Sequence, residues 1–206
     1  VTLKTNRDAM LGDIGAQIAQ TQSVLEQMRS DAALHRTMCG VVEACVSCLQ
    51  SGGKILLAGN GGSAADAQHI AGELVSRFLF DRPGLSAVAL TTDTSTMTAI
   101  GNDYGYDYLF ARQVEALGRP GDIFIAYSTS GFSPNILRAL KAARQLGLKN
   151  IGMTGNRKGA MNEWCDHLFE VPSSDTPRIQ EGHLVLGHLL CGLIESELFE
   201  PPSSAK

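Results

Sequence analysis

The sequence has little basic charge. Its 206 residues carry 17 Lys and Arg against 21 Asp and Glu, a formal net charge of −4. That balance offers no support for a nucleic-acid or anionic-membrane surface. No segment approaches the ~18 uninterrupted apolar residues of a membrane span, and the N-terminus shows no apolar h-region. The expectations are therefore no membrane insertion and a cytoplasmic location. Cysteine is sparse and odd in number: Cys39, Cys45, Cys48, Cys165 and Cys191. An odd count in a mid-sized chain argues against a disulfide framework. Cys45-Val-Ser-Cys48 has the letters of C-x-x-C, but it sits inside a helical apolar pattern and has no second pair. Core packing is the reading favoured over redox or zinc chemistry. A Gly-x-Ser-x-Gly elbow and a His-Glu-x-x-His helix are both missing.

What is present centres on residues 54–73. Ile55 to Ala58 is a short apolar run of the kind a parallel sheet buries on both faces. Asn60-Gly61-Gly62 permits a sharp turn and close approach to a ligand. Ser63 with Asp66 three residues later resembles a capping-box helix start. A helix beginning there would aim free N–H groups at an anion beside the strand's carboxyl end. His69 and Glu73 follow at i and i+4, on one face of that helix.

The remaining chain alternates strand and helix. Two helical patterns, about 5–29 and 32–51, precede the first strand. Further strands are expected at 86–90, 122–127, 149–154 and 167–171, with helices after each, the last at about 178–199. Asn102 and Asp103 are expected in a loop with Gly105, and 200–206 as a frayed tail. This alternation predicts a single α/β domain, a doubly wound five-stranded parallel sheet flanked by helices. The two leading helices cannot be crossovers, so they pack on the sheet's flank or against another chain.

Ser128-Thr129-Ser130-Gly131, with Ser133 and then Pro134, is a hydroxyl-rich turn running from a strand into a helix. Hydroxyls, backbone N–H groups and a helix N-terminus bind phosphate without a lysine. The turn is neither a Walker A nor a G-x-G-x-x-G pattern. Its plain alternative is a strand–helix loop with a serine cap. For His69 and Glu73 the alternative is a solvated helix face. On the last helix, His183 reads as a core histidine, and His188 lies in apolar surroundings. Gln180 and His188 are eight residues apart, roughly 12 Å along an ideal helix, which is long for two ligands of one ion. A carboxylate base, an imidazole acid and a phosphate cradle suit proton transfer beside a carbonyl, as in aldose–ketose isomerisation through an enediol.

Taken together, Gly59 to His69, Glu73, Gly101-Asn102-Asp103, the serine loop and Arg178-Ile-Gln180-Glu-Gly-His183 with His188 resemble the sugar isomerase (SIS) domain family, and within it the phosphoheptose isomerases. The resemblance covers about residues 5–199. It implies a flavodoxin-like SIS fold assembled as a homotetramer, with residues 1–52 used in oligomer packing and sites at subunit interfaces. It implies conversion of sedoheptulose 7-phosphate to D-glycero-D-manno-heptose 7-phosphate, toward activated heptose for lipopolysaccharide core or related glycans. Glu73 matches the family's general base and His188 its general acid. Ser128, Thr129, Ser130 and Ser133 match phosphate contacts. Asn60, Gly61, Gly62 and Ser63 in the glycine turn match the substrate-binding stretch, as do Asn102, Asp103 and Gln180. Some members carry zinc on positions matching His69, Glu73, Gln180 and His188, so two roles stay open for Glu73 and His188. Where some relatives have an acid before the Arg-Ile-Gln run, this chain has Pro177, with Asp175 two residues earlier. A non-catalytic relative, the DnaA initiator-associating protein, is the alternative; it lacks the glutamate matching Glu73.

Overall fold

A computed structural model describes residues 7–157 and 159–201. The elements are α1 (Arg7–Ser30), α2 (Ala32–Gln50), β1 (Ile55–Ala58), α3 (Gly62–Val75), β2 (Ala87–Ala89), α4 (Thr94–Asp103), α5 (Ala111–Leu117), β3 (Ile123–Tyr127), α6 (Pro134–Gln145), β4 (Lys149–Gly155), β5 (His167–Val171) and α7 (Thr176–Leu198). The start of the first helical pattern and the end of the expected frayed tail lie outside the described residues.

The five strands are parallel, in the order β2-β1-β3-β4-β5. The expected doubly wound sheet is thus the observed one. The order reverses between β1 and β3, so the crevice at their carboxyl ends is the topological switch point. Every residue of β1 and β3 is buried, because helices cover both faces. Ile55, Leu57, Ile123, Ile125 and Tyr127 join the core under α1, α2, α3 and α7. Leu56, Ala58, Phe124 and Ala126 join the core under α4, α5 and α6. At the opposite ends of these two strands, buried Asp122 accepts hydrogen bonds from the Lys54 and Arg119 backbone N–H groups (2.9 and 2.8 Å).

The two leading helices differ in how much of their apolar surface is buried. Asp31 caps α2 through the N–H groups of Ala33 and Leu34. The helix lays Leu34, Met38, Val41, Val42, Cys45 and Cys48 against the sheet's flank. By length and composition alone α2 matches a membrane span, but these apolar residues are spent on the core. In α1, Val24 and Met28 are buried, whereas Met10, Leu11, Ile14 and Ile18 are exposed. The cysteines are free, with Cys45, Cys48 and Cys191 buried. Burial pushes the Cys191 thiol up to about 12, with the nearby Glu73 carboxylate adding to the shift. Such thiols pack and do not react.

Two local expectations are corrected. Asn102 and Asp103 form the last turn of α4, not a loop. Asp93 caps that helix through the Thr96 N–H, and the helix runs on until Gly105, at φ 85°, redirects the chain. The capping box at Ser63 and Asp66 does not form, because α3 starts two residues earlier, with Gly61 in the cap position.

Candidate active site

Two clusters of polar side chains lie along α3 and α7, which pack side by side on one face of the sheet. Gly187 of α7 sits so close to Ile70 of α3 that an added Cβ would fall 2.5 Å from its Cδ1.

The first cluster occupies the switch point. Gly61 takes φ 56° and ψ −122°, a conformation that side chains disfavour, and this turns the chain from β1 into α3. A Cβ on Gly62 would lie 2.9 Å from both Cδ and Oε1 of Gln180. The Gln180 amide therefore rests on the bare backbone of the turn. Asn60 exchanges two hydrogen bonds with Asn135 of α6, at 2.9 and 2.8 Å, and accepts a third from the Tyr106 hydroxyl at 3.0 Å. These bonds tie the carboxyl end of β1 to the helix that follows β3. In the serine loop the Ser128 and Ser133 hydroxyls lie 2.9 Å apart. The Ser130 hydroxyl accepts from the Phe132 N–H at 3.2 Å. Ser133 is the N-cap residue of α6 and Pro134 follows at N1, as expected, but the Ser133 side chain makes no cap bond. Asn60, Gly61, Gly62, Ser63, Ser128, Thr129, Ser133 and Gln180 line one cavity of about 300 Å³ together with Tyr127 and Thr176.

The second cluster is His69, Glu73 and His188. Their ligand atoms lie within 4.8 Å of one another. His69 Nε2 is 2.8 Å from His188 Nε2 and 3.6 Å from Glu73 Oε1. The Phe78 ring stands beside His188, with centroids 5.6 Å apart. His69 is exposed and Glu73 half-buried. Two imidazole nitrogens at 2.8 Å either share one proton or both point lone pairs at a common cation. Two histidines and one carboxylate match the donor set of a three-ligand divalent-metal site with an open position.

Asn102 and Asp103 are not brought to either cluster. Asn102 donates to Asp103 at 2.8 Å, and Asp103 lines a separate cleft with Thr92, Asp93, Tyr104 and Arg112.

The SIS domain family model matches residues 18–155. A phosphoheptose isomerase of Burkholderia pseudomallei is 64% identical over 88% of this chain and 92% of its own length. Phosphoheptose isomerase 2 of Campylobacter jejuni is 54% identical over 94% and 96%. The structure of a phosphoheptose isomerase from Neisseria gonorrhoeae superimposes with a TM-score of 0.85, at 42% identity, over 91% of this chain and 99% of that one.

The chain belongs to the phosphoheptose isomerases of the SIS domain family.

As a member it is a sugar-phosphate isomerase, and the initiator-binding alternative gives way. The family model ends before α7, so Gln180 and His188 fall within the similarity through the longer matches. The isomerase's site also contains residues that the sequence did not single out. Asn135 and Tyr106 hold Asn60, and Phe78 backs His188. The only sequence signal for Asn135 was its place directly after the helix-opening Pro134, beside the serine loop. Tyr106 and Phe78 carried none, because each acts on a residue distant in the chain. Asp66 lies one turn before His69, and its Oδ2 is buried without a hydrogen-bond partner among the described residues. Burial raises its carboxyl to about 6, partly offset by the pull of His69. His183 is a buried core histidine, as expected. Its Nε2 lies 3.2 Å from the Thr154 carbonyl, and burial lowers its pKa to about 4 despite that contact.

Proposed function

We propose that this phosphoheptose isomerase interconverts sedoheptulose 7-phosphate and D-glycero-D-manno-heptose 7-phosphate through an enediol. The observation that carries the reading is the separation of the two clusters. From Gly62 to His69 α3 rises about 10 Å, and from Gln180 to His188 α7 rises about 12 Å. A ligand with phosphate at one end and a reacting carbonyl at the other fits such a pair of sites. In this reading Ser128, Thr129, Ser130 and Ser133 hold the phosphate at the N-terminus of α6. Asn60, Gly61, Gly62, Ser63 and Gln180 contact the sugar hydroxyls. Asn102 and Asp103 enter from a neighbouring subunit. Glu73 takes the proton that moves between adjacent carbons, and His188 supplies one to the carbonyl oxygen.

His69, Glu73 and His188 would also hold a zinc ion; Gln180, expected as a fourth ligand, rests instead against Gly62 in the other cluster. The ion would polarise the sugar carbonyl. The facing imidazole nitrogens and the adjacent carboxylate support this assignment. The chain is read as one SIS domain that assembles as a cytoplasmic homotetramer with sites at subunit interfaces. Two exposed apolar surfaces support the assembly: Met10, Leu11, Ile14 and Ile18 on α1, and Leu79, Leu189 and Leu193 beside His188.

The test is incubation with sedoheptulose 7-phosphate, following aldose formation by NMR. Glu73→Gln and a chelated sample run alongside. Wild type should convert the sugar, Glu73→Gln should lose about 10²–10⁴-fold of the rate, and zinc should restore the chelated sample. A folded wild type that binds the sugar phosphate but converts none of it, with or without zinc, would sink the assignment.

A further inference from the structure

Glu73 and His188 lie on different helices, so something must hold α3 and α7 in register where the two side chains meet. We propose that the buried Arg82–Glu195 ion pair positions Glu73 and His188 by fastening the last turn of α3 to α7. This rests on the isomerase reading above.

The Arg82 side chain is 1% exposed and that of Glu195 0%. Arg82 Nε donates to Glu195 Oε1 at 2.9 Å. Its Nη2 donates to the backbone carbonyl of Glu73 at 2.9 Å, and its Nη1 to that of Leu74 at 2.7 Å. Nη1 also reaches the Pro83 carbonyl at 3.1 Å. One guanidinium therefore caps the orphan carbonyls at the C-terminus of α3, where a cation is favoured. The capped carbonyl is that of Glu73 itself. On the other side, Glu195 lies seven residues after His188, two turns along the same face of α7. Its carboxylate also accepts from the N–H groups of Phe78 and Leu79, at 2.9 and 2.7 Å. The Phe78 ring is the one that stands beside His188. The pair thus reaches Glu73 through its carbonyl and His188 through the Phe78 ring.

A buried ion pair is a poor way to gain stability, since hydrophobic residues of similar volume often serve as well or better. Its distinguishing property is geometry, because a planar fork fixes several acceptors at once. Lysine has three donors at a single point and cannot span Glu195 and two successive helix carbonyls.

Two variants test this: Arg82→Lys, and the double variant Arg82→Met/Glu195→Leu, which removes both charges and keeps the volume. Zinc affinity of metal-free protein is read by competition with a chromophoric chelator, beside kcat, KM and Tm. The double variant leaves the Phe78 and Leu79 N–H groups and the α3 carbonyls without these partners, so its Tm is expected to fall, and circular dichroism is read to show that it still folds. In both variants zinc affinity and kcat should fall at least tenfold. KM for the sugar phosphate should stay within about twofold, because the serine loop is untouched. A purely structural role would move Tm and leave zinc affinity and kcat alone, and a folded double variant with wild-type values for both overturns the proposal. If Arg82→Lys fails to fold, the double variant decides alone. If wild type itself neither binds zinc nor turns over, the isomerase reading fails first and takes the proposal with it.

Discussion

Replacing Gly62 with alanine should separate stability from activity. Gly62 opens α3, and its φ is not in the left-handed region, so the backbone accepts a side chain. Alanine in place of a helical glycine gains up to about 1 kcal/mol. The added Cβ would nevertheless lie 2.9 Å from the Gln180 Cδ and Oε1. Those atoms end a flexible side chain, so the amide moves aside and the fold survives. The displaced amide leaves the cavity it shares with Asn60 and the serine loop. Losing a polar contact to substrate costs about 1–3 kcal/mol, equivalent to roughly 5- to 150-fold in kcat/KM. The assay is kcat/KM for sedoheptulose 7-phosphate, with Tm by calorimetry, on Gly62→Ala, Gln180→Ala and the double variant. Gly62→Ala should keep or raise Tm while losing activity, and adding it to Gln180→Ala should cost nothing further. Wild-type kcat/KM in Gly62→Ala would refute the role given to the amide. An equal loss from Gly62→Ala in both backgrounds would refute the steric route.

Buried His183 and half-buried Asp66 give a pH prediction in which opposite signs offset each other. His183 has a folded pKa of about 4 against an ordinary 6.5, so the unfolded chain binds more protons between those values. Stability is lost as pH falls through that window, by about 3 kcal/mol in all. Asp66 is raised from 3.8 to about 6, so there the folded chain holds more protons and stability is lost as pH rises through that range. His183→Gln should flatten the acid side of the Tm–pH curve, and Asp66→Asn should raise Tm at pH 7 while matching wild type near pH 3.5. Unchanged slopes in both variants would contradict the burial argument. Light scattering of the zinc-loaded protein should give the mass of four chains; a monomer at micromolar concentration would remove the interface from the site.

The sheet was legible because its strands are short apolar runs punctuated by glycine turns, a local pattern. Ile55–Ala58 and Ile123–Tyr127 are buried on both faces wherever the sheet packs, so the number of strands and their parallel sense follow from alternation. The serine loop and glycine turn were legible for the same reason: each is one continuous stretch, and a helix start beside a strand end is an anion site wherever it occurs. Helix limits were less secure. At α3 the backbone freedom of Gly61 outcompeted the side-chain cap that Ser63 offers.

What only the tertiary structure decided is the geometry of the pairings across distance. Spacing along α7 said nothing of Gln180 meeting Gly62, nor of His188 meeting His69, 119 residues away in the chain. Asn135 and Tyr106 converging on Asn60 depend on the strand order that places β3 beside β1. Arg82 and Glu195 belong to no motif in the sequence, and only the fold brings them together at the end of α3. Local sequence determines what a backbone segment does because its competitors are a few residues away. Which side chains share a site is settled by packing, where helices meet at the interior's density and a single arrangement fits.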